Sequence, residues 1–313
     1  MKYKLIGDLR VSEMALGAGG RGDVRNDPIS FKIMDHYIGH GGNCFDTARI
    51  YGNGASDEAL GRWLRQSKLR NEIYLCTKGN HPDLSTMHIA RLSPKEIEDD
   101  LDASLRAIGT DYTDLHLLHR DDPKIPVEDI MPAMDQLVRS GRVRVIGCSN
   151  WTIGRIHEAN QFALENGLTP FSLCQIHHSL AVTTPAQTRD ITHVPMSGVE
   201  YRWYRRTQFP IMAFSTQARG FFSAAQSGAD QKQNNIQYYG KIPENLERAG
   251  RLIELAGTLG AGVAELAVSY VKYGGLNAVV LGAFSSTQQM DMAVRGLNIE
   301  LTAEQVRYLE SGE

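Results

Sequence analysis

The sequence predicts an α/β fold, a single-domain (β/α)8 TIM barrel spanning residues 1–313. Short apolar runs alternate with amphipathic stretches along the chain, and eight such runs are found. The length of 313 residues fits a barrel of about 250 residues with insertions. Alternating strands and helices predict a parallel sheet, and eight units predict its closure. We also expect an N-terminal β-hairpin cap and a C-terminal helical extension.

Eight apolar segments are the predicted strands. In chain order they are Met14–Leu16, Asn43–Asp46, Ile73–Lys78, Leu115–His119, Val143–Cys148, Ser172–Ile176, Ile211–Phe214 and Ala278–Leu281. An open, doubly wound sheet is the alternative, but it requires a Gly-x-Gly-x-x-Gly turn after an early strand. The glycine cluster at 17–22 does not have that spacing. We therefore interpret the cluster as a flexible loop between the first strand and the first helix.

Helical signals lie between these segments. Pro94–Ile108 carries four apolar residues at spacings of four, four and three, which form one stripe on a helix. Ser93 is a suitable N-cap before a proline, and Gly109 follows the last helical residue. Further helices are predicted over Val127–Arg139 and Leu246–Leu259.

The stretch from 215 to 243 is rich in glycine and amide side chains. It shows neither the apolar period of a helix nor that of a strand, so it is predicted to be an irregular loop. Loops of this length in compact domains are usually functional or mobile. Its place after the seventh strand favours a cofactor or substrate loop at the active face of the barrel. A solvated insertion is the alternative.

Charge and composition restrict the partners. The net charge of −3 gives no general basic footprint for nucleic acid or an acidic membrane. We find no apolar run near the ~18 residues of a membrane span and no leader sequence, so a cytoplasmic protein is expected. The cysteines, which lack paired spacing, are expected to be buried reduced thiols rather than disulfides or metal ligands: Cys44, Cys76, Cys148 and Cys174.

Ionisable residues end three consecutive predicted strands. Asp46 ends the second strand, Lys78 the third and His119 the fourth, and Tyr51 lies just beyond the second. Active sites of parallel barrels lie at the mouth where the carboxyl ends of the strands converge. Singly, each residue has an ordinary explanation as a helix cap, a solvated lysine, or a core histidine. Together they predict a catalytic cluster.

These residues belong to a longer series of motifs that resembles the aldo-keto reductase superfamily. The series runs in order from about residue 4 to residue 310 and includes Phe45–Gly52, Ser56–Gly61, Thr77-Lys78, Asp111–Leu115, Gly141–Asn150 and Cys174-Gln175. The resemblance implies a reductase that interconverts a carbonyl and an alcohol with NAD(P)H and without a metal. It implies that Asp46, Tyr51, Lys78 and His119 are the catalytic tetrad.

Acid–base chemistry agrees with that assignment. A tyrosine with a pKa near 10 is a poor acid at neutral pH, and a neighbouring cation lowers its pKa. Lys78 is expected to supply the cation and Asp46 to hold it. His119 is expected to donate a hydrogen bond to the carbonyl oxygen. Tyr51 then gives the proton to that oxygen.

The resemblance also implies a cofactor site. Its expected residues are Ser149, Asn150, Gln175, Phe214, Ser215, Gln217, Arg219, Gly220, Gly282, Ala283, Phe284, Ser285 and Gln288. Phe214 stands where a tyrosine is commoner, and it still offers a ring face for the nicotinamide. No cation lies between Gly282 and Gln288, although a 2′-phosphate favours a guanidinium. NADP(H) is favoured by the resemblance, and NAD(H) stays open.

The substrate is expected to be a small carbonyl compound or a sugar. The predicted contacts are Gly19, Arg21, Arg49, Asn80, Arg120 and Trp151. Arg49 and Arg120 suggest a hydroxylated or anionic substrate such as a sugar acid. The alternative is that each pairs with a nearby acid such as Asp121 or Asp122. The protein is expected to be a monomer or a homo-oligomer.

Other functions stay open from the sequence alone. A nicotinamide-binding, redox-sensing or regulatory subunit with little turnover is one alternative. A Schiff-base enzyme that uses Lys78 is another. The adjacent pair His177-His178 is not expected to bind zinc, because neighbouring side chains of an extended segment diverge.

Overall fold

The structure of the chain is a computed structural model. It describes residues 1–18, 24–184, 187, 190, 192–228 and 234–313. The strands in these parts are β1 Tyr3–Ile6, β2 Leu9–Ser12, β3 Met14–Gly17, β4 Cys44–Asp46, β5 Tyr74–Gly79, β6 Thr113–Leu118, β7 Val143–Ser149, β8 Cys174–His177, β9 Ile211–Phe214 and β10 Ala278–Gly282.

Strands β3 to β10 form a closed barrel in which neighbours in sequence are neighbours in space. Every pairing around the ring is parallel, including the closing pair of β10 with β3. The predicted (β/α)8 barrel is therefore confirmed. The carboxyl ends of all eight strands meet at one mouth.

Helices surround the barrel. In the described residues they are α1 Asp27–Gly39, α2 Ala55–Ser67, α3 Pro94–Ile108, α4 Val127–Arg139, α5 Ile153–Glu165, α6 Gly198–Thr207, α7 Phe221–Ser227, α8 Asn234–Tyr239, α9 Pro243–Leu259, α10 Val263–Tyr273, α11 Thr287–Leu297 and α12 Ala303–Ser311. No single helix in those residues is long and apolar enough to cross a membrane. Helices α9 and α10 reach that length and apolarity only when taken together, across a bend of 102°.

Helix α3 shows how local sequence sets the ends of an element. Ser93 and Glu96 form a reciprocal capping box at its start, where Pro94 occupies the first turn. The helix ends at Gly109, whose φ of 82° is left-handed and suits glycine. Its apolar stripe is buried against the barrel. The bounds agree with the prediction from the sequence, because each signal is local.

The prediction of an irregular segment from 215 to 243 is wrong where the chain forms α7 and α8 and at Pro243, the first residue of α9. Residues 215–220 and 240–242 contain no α-helix, as predicted. Helices of seven and six residues show too little periodicity to be recognised, and tertiary packing stabilises them. Phe221, Phe222 and Tyr239 supply that packing, since all three are buried.

Two apolar cores hold the molecule together. The larger core lies between the strands and the surrounding helices. The smaller core fills the inside of the barrel, where Ile6, Leu9 and Val11 pack with strand residues such as Leu115 and Met212. Strands β1 and β2, which carry those first three residues, form an antiparallel hairpin. The hairpin therefore packs against the amino ends of the strands, away from the mouth.

Candidate active site

Asp46 and Lys78 form a buried ion pair at the mouth of the barrel. Asp46 is the last residue of β4, and Lys78 lies near the end of the adjacent β5. Lys78 Nζ donates to Asp46 Oδ1 at 2.5 Å, and Gln175 Nε2 donates to the same oxygen at 2.8 Å. Both charged side chains are almost fully buried. Such a pair persists only where each charge is compensated, because removal from water is costly.

The pairing keeps Lys78 charged. Burial lowers the pKa of Lys78, but the surrounding acidic groups, with Asp46 the first of them, outweigh burial, and the net pKa is raised. A Schiff-base mechanism requires a neutral amine. The raised pKa therefore argues against the Schiff-base alternative and in favour of a permanent cation.

Tyr51 is placed over this cation by a tight turn. It begins a 3-10 turn, Tyr51–Gly54, that contains Gly52 at φ 58° and Asn53 at φ 51°. Glycine and asparagine tolerate this left-handed backbone best. Lys78 Nζ lies 5.0 Å from the centroid of the Tyr51 ring. The local sequence Tyr-Gly-Asn-Gly thus allows a turn that places the Tyr51 ring over the ends of the strands, close to Lys78.

The pKa of Tyr51 reflects opposing influences. Burial raises it, the Lys78 cation lowers it, Asp46 raises it, and the net pKa lies above the usual value of 10.0. Lys78 thus acts in the predicted direction, but the expected net lowering is wrong for this structure because burial is the larger effect. Tyr51 is consequently protonated at neutral pH, which is the form that a proton donor requires.

His119 lies directly after β6 and faces Tyr51. The two ring centroids are 5.7 Å apart in an edge-to-face arrangement. Burial holds the pKa of His119 well below 6.5, with further lowering from Arg120, Lys78 and His81. Its buried Nδ1 has no hydrogen-bond partner within the described residues. A neutral imidazole carries one N–H donor, so His119 is suited to donate a hydrogen bond without transferring a proton.

Two cavities meet at Tyr51. We call the first the histidine cavity; it has a volume of about 490 Å³ and is lined by Ile50, Tyr51, Gly52, His81, Leu84, His119, Arg120, Ser149, Asn150, Gln175, His177, Asp190, His193, Phe214, Arg219 and Tyr238. We call the second the long cleft; it has a volume of about 660 Å³ and is lined by Gly17, Asp46, Tyr51, Phe214, Ser215, Thr216, Gln217, Arg219, Gly220, Phe222, Ser223, Ala264, Ala267, Leu281, Gly282, Ala283, Phe284, Ser285, Gln289 and Met292. Tyr51, Phe214 and Arg219 line both cavities, so they mark the junction.

Comparison with known proteins identifies the family. The sequence profile described as the Aldo/keto reductase family matches residues 13–312. The chain belongs to this family. It is therefore an oxidoreductase of a family that uses nicotinamide cofactors on small carbonyl compounds.

Individual relatives agree with this identification. The chain is 27% identical to a versiconal hemiacetal acetate reductase of Aspergillus parasiticus, over 99% of this chain and 96% of that protein. It is 26% identical to an aryl-alcohol dehydrogenase of Pestalotiopsis microspora, over 97% of this chain and 79% of that protein. A thermostable aldo-keto reductase crystallised with the inhibitor epalrestat superposes with a TM-score of 0.75 at 21% identity, covering 99% of both chains. The last similarity supports the fold.

Most residues predicted to bind the cofactor lie along the two cavities. The long cleft contains Phe214, Ser215, Gln217, Arg219, Gly220, Gly282, Ala283, Phe284 and Ser285, and the histidine cavity contains Ser149, Asn150 and Gln175. Gln288 is the exception. It is exposed, and Gln289 lines the cleft instead, where its Oε1 accepts from the Ser285 backbone N–H at 2.8 Å. Side chains of consecutive helical residues point in directions about 100° apart. A prediction that is off by one position therefore selects a residue on the wrong face of the helix.

Asn150 leaves one buried polar atom without a partner. Its Nδ2 donates to Ser149 Oγ at 2.9 Å, while its buried Oδ1 has no partner in the described part of the chain. An unsatisfied buried acceptor costs about 1–3 kcal/mol. An amide N–H of a ligand would satisfy this oxygen. The residue is held at φ 58°, a left-handed conformation that asparagine tolerates.

The segment after β9 is strained. Ser215, Ala218 and Arg219 have φ values of 58°, 47° and 52°. Each such residue costs of order 1–3 kcal/mol, and such strain concentrates at ligand sites. The same segment lines the long cleft. Its backbone is thus shaped for a role other than stability.

Arg120 lines the histidine cavity, and it pairs with an acid other than the two candidates that the alternative to a substrate contact named. Its guanidinium binds Asp190 at 2.9 Å, Thr192 Oγ1 at 2.9 Å and the His119 carbonyl at 2.8 Å. Asp121, one of those two candidates, binds Arg155 instead. Asp190 lies 70 residues away in sequence, so no local pattern could reveal the pair. The charge of Arg120 is therefore compensated before any substrate arrives.

Three predicted substrate contacts do not line the histidine cavity. Trp151 is fully buried in the core against Phe171, with ring centroids 5.2 Å apart, so its prediction is wrong. Asn80 is buried, and its Nδ2 donates to the Arg91 carbonyl at 2.7 Å. Arg49 lines an adjoining cavity of about 240 Å³, which shares Ile50 and His81 with the histidine cavity. The path of each loop after its strand decides whether a side chain points into the cavity. A position just after a strand end does not reveal that path.

The predicted contacts Gly19 and Arg21 lie outside the described residues. Conversely, sequence reasoning missed His177, His193 and Tyr238 as lining residues of the histidine cavity. His177 was considered only for zinc, although its position at the end of β8 was a usable signal. Tyr238 lies within the stretch 215–243 that is predicted as a cofactor or substrate loop, whereas His193 follows no strand directly and has no comparable signal.

Proposed function

We propose that the protein interconverts a carbonyl compound and an alcohol with a nicotinamide cofactor, and that Tyr51 is the general acid and base. The observation that carries the proposal is the position of Tyr51 at the junction of the long cleft and the histidine cavity, beside the Lys78–Asp46 pair. A proton donor at this junction can reach a substrate in one cavity next to a cofactor in the other.

Features of both cavities fit such a cofactor. The unpaired Oδ1 of Asn150, in the histidine cavity, suits a carboxamide N–H, and Phe214 offers an aromatic ring at the junction with the long cleft. The N-terminus of α11, capped by Ser286, follows Gly282–Ser285 and favours anionic groups. We therefore infer that Ser149 and Asn150 hold the nicotinamide end. The segments 215–220 and 282–289 would hold the rest.

When bound, the cofactor supplies or accepts the hydride, and the side chains handle the proton. His119 donates an N–H to the carbonyl oxygen, and Tyr51 transfers its hydroxyl proton to that oxygen. Lys78 stabilises the phenolate that this transfer leaves. Asp46 holds Lys78 in place, and Gln175 in turn donates a hydrogen bond to Asp46. In the direction of alcohol oxidation, the Tyr51 phenolate accepts the proton back.

We propose NADP(H) as the cofactor, with weak discrimination against NAD(H). The family resemblance favours NADP(H). A 2′-phosphate favours a bidentate guanidinium, yet Arg219 is the one cation among the described lining residues of the long cleft. Because Arg219 also lines the histidine cavity, it lies near the Tyr51 end. The described lining residues of the long cleft therefore offer no evident group that would bind the 2′-phosphate of NADP(H) strongly.

We propose a neutral, medium-sized aldehyde or ketone, with aromatic compounds the first candidates. The histidine cavity presents rings from Tyr51, Phe214, Tyr238 and its histidines. Its volume of about 490 Å³ is that of an ordinary small-molecule site. Asp190 already neutralises Arg120, which weakens the case for a sugar acid. The aryl-alcohol dehydrogenase similarity points the same way.

A carbonyl panel tests this function. Aromatic aldehydes, aliphatic ketones, a hexose and a uronate are assayed with NADPH and NADH at the nicotinamide absorbance, and the products are identified. We expect turnover of the aromatic aldehydes, with recovery of the corresponding alcohol. Tight cofactor binding without turnover of any compound would favour the regulatory-subunit alternative and contradict the proposal.

A further inference from the structure

A cluster of two histidines and one aspartate lies on the outside of the barrel. His36 and His40 are one turn apart on α1, and Asp291 lies on α11. Asp291 Oδ1 is 2.6 Å from His36 Nε2 and 2.8 Å from His40 Nε2. The two Nε2 atoms are 3.2 Å apart. Three potential ligand atoms from two helices thus converge on one point.

We propose that His36, His40 and Asp291 bind one divalent transition metal ion, with Zn²⁺ as the first candidate. Two histidines at i and i+4 on a helix are an established zinc-binding arrangement. Zinc binds imidazole nitrogen at about 2.0–2.1 Å and carboxylate oxygen at about 2.0–2.2 Å. In a tetrahedron with such bonds the ligand atoms lie roughly 3.3 Å apart. The distance between the two Nε2 atoms, 3.2 Å, already has this value.

Only the carboxylate has to move to admit the ion. Its Oδ1 lies 2.6 and 2.8 Å from the two nitrogens, so a retreat of roughly 0.7 Å reaches the tetrahedral spacing. Each of the three side chains is about one-third exposed. The ion therefore has access from solvent, and water can complete its coordination. Imidazole and carboxylate together favour zinc and its neighbours over calcium or magnesium.

A hydrogen-bonded cluster without metal is the competing explanation. Both imidazoles would then donate an N–H to the same oxygen, and both Nε2 atoms would have to carry protons. Metal binding makes the opposite demand, since each ligating nitrogen must be unprotonated. The two explanations therefore predict opposite responses to added zinc.

The position of the cluster gives the metal a structural role. Helix α1 follows β3, and α11 follows β10, the two strands whose pairing closes the barrel. None of the three ligands lines the histidine cavity or the long cleft. A metal ion here would link the first and last barrel helices across the closing seam. It would bind the folded chain more tightly than the unfolded one and so raise Tm.

The test uses tag-free, chelator-treated full-length protein titrated with Zn²⁺. We expect saturable binding of one ion by calorimetry. At about 100 times the dissociation constant, Tm should rise by about 5 °C or more. In His36→Gln and Asp291→Asn, affinity should fall by more than the roughly 10- to 100-fold typical for loss of an outer-shell partner. His157→Gln, at an exposed histidine of α5, is the matched control and should bind as the parent protein does.

Cobalt adds a readout that stability cannot imitate. Co²⁺ bound by two imidazoles and a carboxylate should give visible absorption in the parent protein and in His157→Gln but not in Asp291→Asn. Should one ligand variant fail to fold, His40→Gln replaces it. Absence of saturable binding would overturn the proposal. Equal affinity of the parent and both ligand variants, or equal loss in the control, would also overturn it.

Discussion

The two ends of the long cleft are built differently. At the Tyr51 end, Asp46 and Lys78 are buried and ion-paired on adjacent strands. At the other end, Ser285 and Gln289 are exposed, one in a loop and one in the first turn of α11. Rigid strand ends thus carry the groups that must keep fixed charges and distances. In the proposed arrangement, exposed residues, which are easily exchanged, would meet the part of the cofactor that does not react.

Lys78→Met, at the buried end of the long cleft, should cause the largest loss of activity and of stability. Tyr51 would lose the cation that stabilises its phenolate, so kcat should fall by about 10²- to 10⁴-fold. Asp46 would become a buried unpaired charge, and the free energy of unfolding should fall by about 3–5 kcal/mol. Steady-state kinetics and denaturant unfolding measure the two effects.

The double variant Asp46→Asn/Lys78→Met separates these effects. It removes both charges, so much of the stability should return while turnover stays low. Recovery of turnover along with stability would show that Lys78 acts only through the fold.

Ser285→Arg, at the exposed end of the long cleft, should increase the preference for NADPH over NADH. A guanidinium beside the start of α11 would add a charge-assisted hydrogen bond to a 2′-phosphate. We expect the ratio of NADPH to NADH affinity to rise by about 10-fold, since hydrogen bonds to charged groups contribute about 1.5–3 kcal/mol. Dissociation constants from fluorescence titration provide the measurement. Ser285→Gln, which adds length without charge, should leave the ratio unchanged.

Arg120→Gln should have a smaller effect. Because Asp190 already compensates the guanidinium, kcat/KM should change by less than about 10-fold, or 1.4 kcal/mol, for an aromatic aldehyde and a uronate alike. The measurement is the ratio of the two specificity constants in the parent protein and the variant. A selective loss on the uronate would instead support recognition of an anionic substrate.

The pH profile should show no transition near 6.5. The pKa of His119 is held well below that value by burial and nearby cations, so the neutral form persists as the pH falls through 6.5. The raised pKa of Tyr51 keeps its proton in place through neutral pH. The rate of carbonyl reduction should therefore be level from pH 6 to 9 and decline only above about 10. An inflection near 6.5 that His119→Gln removes would contradict this account.

Local sequence predicted the barrel and the proximity of Asp46, Tyr51 and Lys78, because both depend on strand ends. Asp46, Lys78 and Tyr51 each follow or end a short apolar run, and parallel strands bring such ends together. Helices α3 and α4 could also be predicted from local sequence, because the capping residues and the apolar stripe of each helix lie within or next to that helix. These features need no knowledge of distant residues.

Contacts between distant segments could not be predicted. Asp190 meets Arg120 across 70 residues, and Asp291 meets His40 across 251. Trp151 follows a strand end just as Tyr51 does, yet its loop turns it into the core. A sequence shows which residues follow a strand, but packing decides which way their side chains point.

Tyr51→Phe tests the central claim most directly, with Tyr238→Phe as its control. Both tyrosines line the histidine cavity, but only Tyr51 lies beside Lys78. In single-turnover reduction of an aromatic aldehyde, Tyr51→Phe should lose at least about 10²-fold in rate while cofactor affinity is kept, and Tyr238→Phe should react at nearly the parent rate. A Tyr51→Phe variant that reduces the aldehyde at the parent rate would contradict the assignment of Tyr51 as the acid.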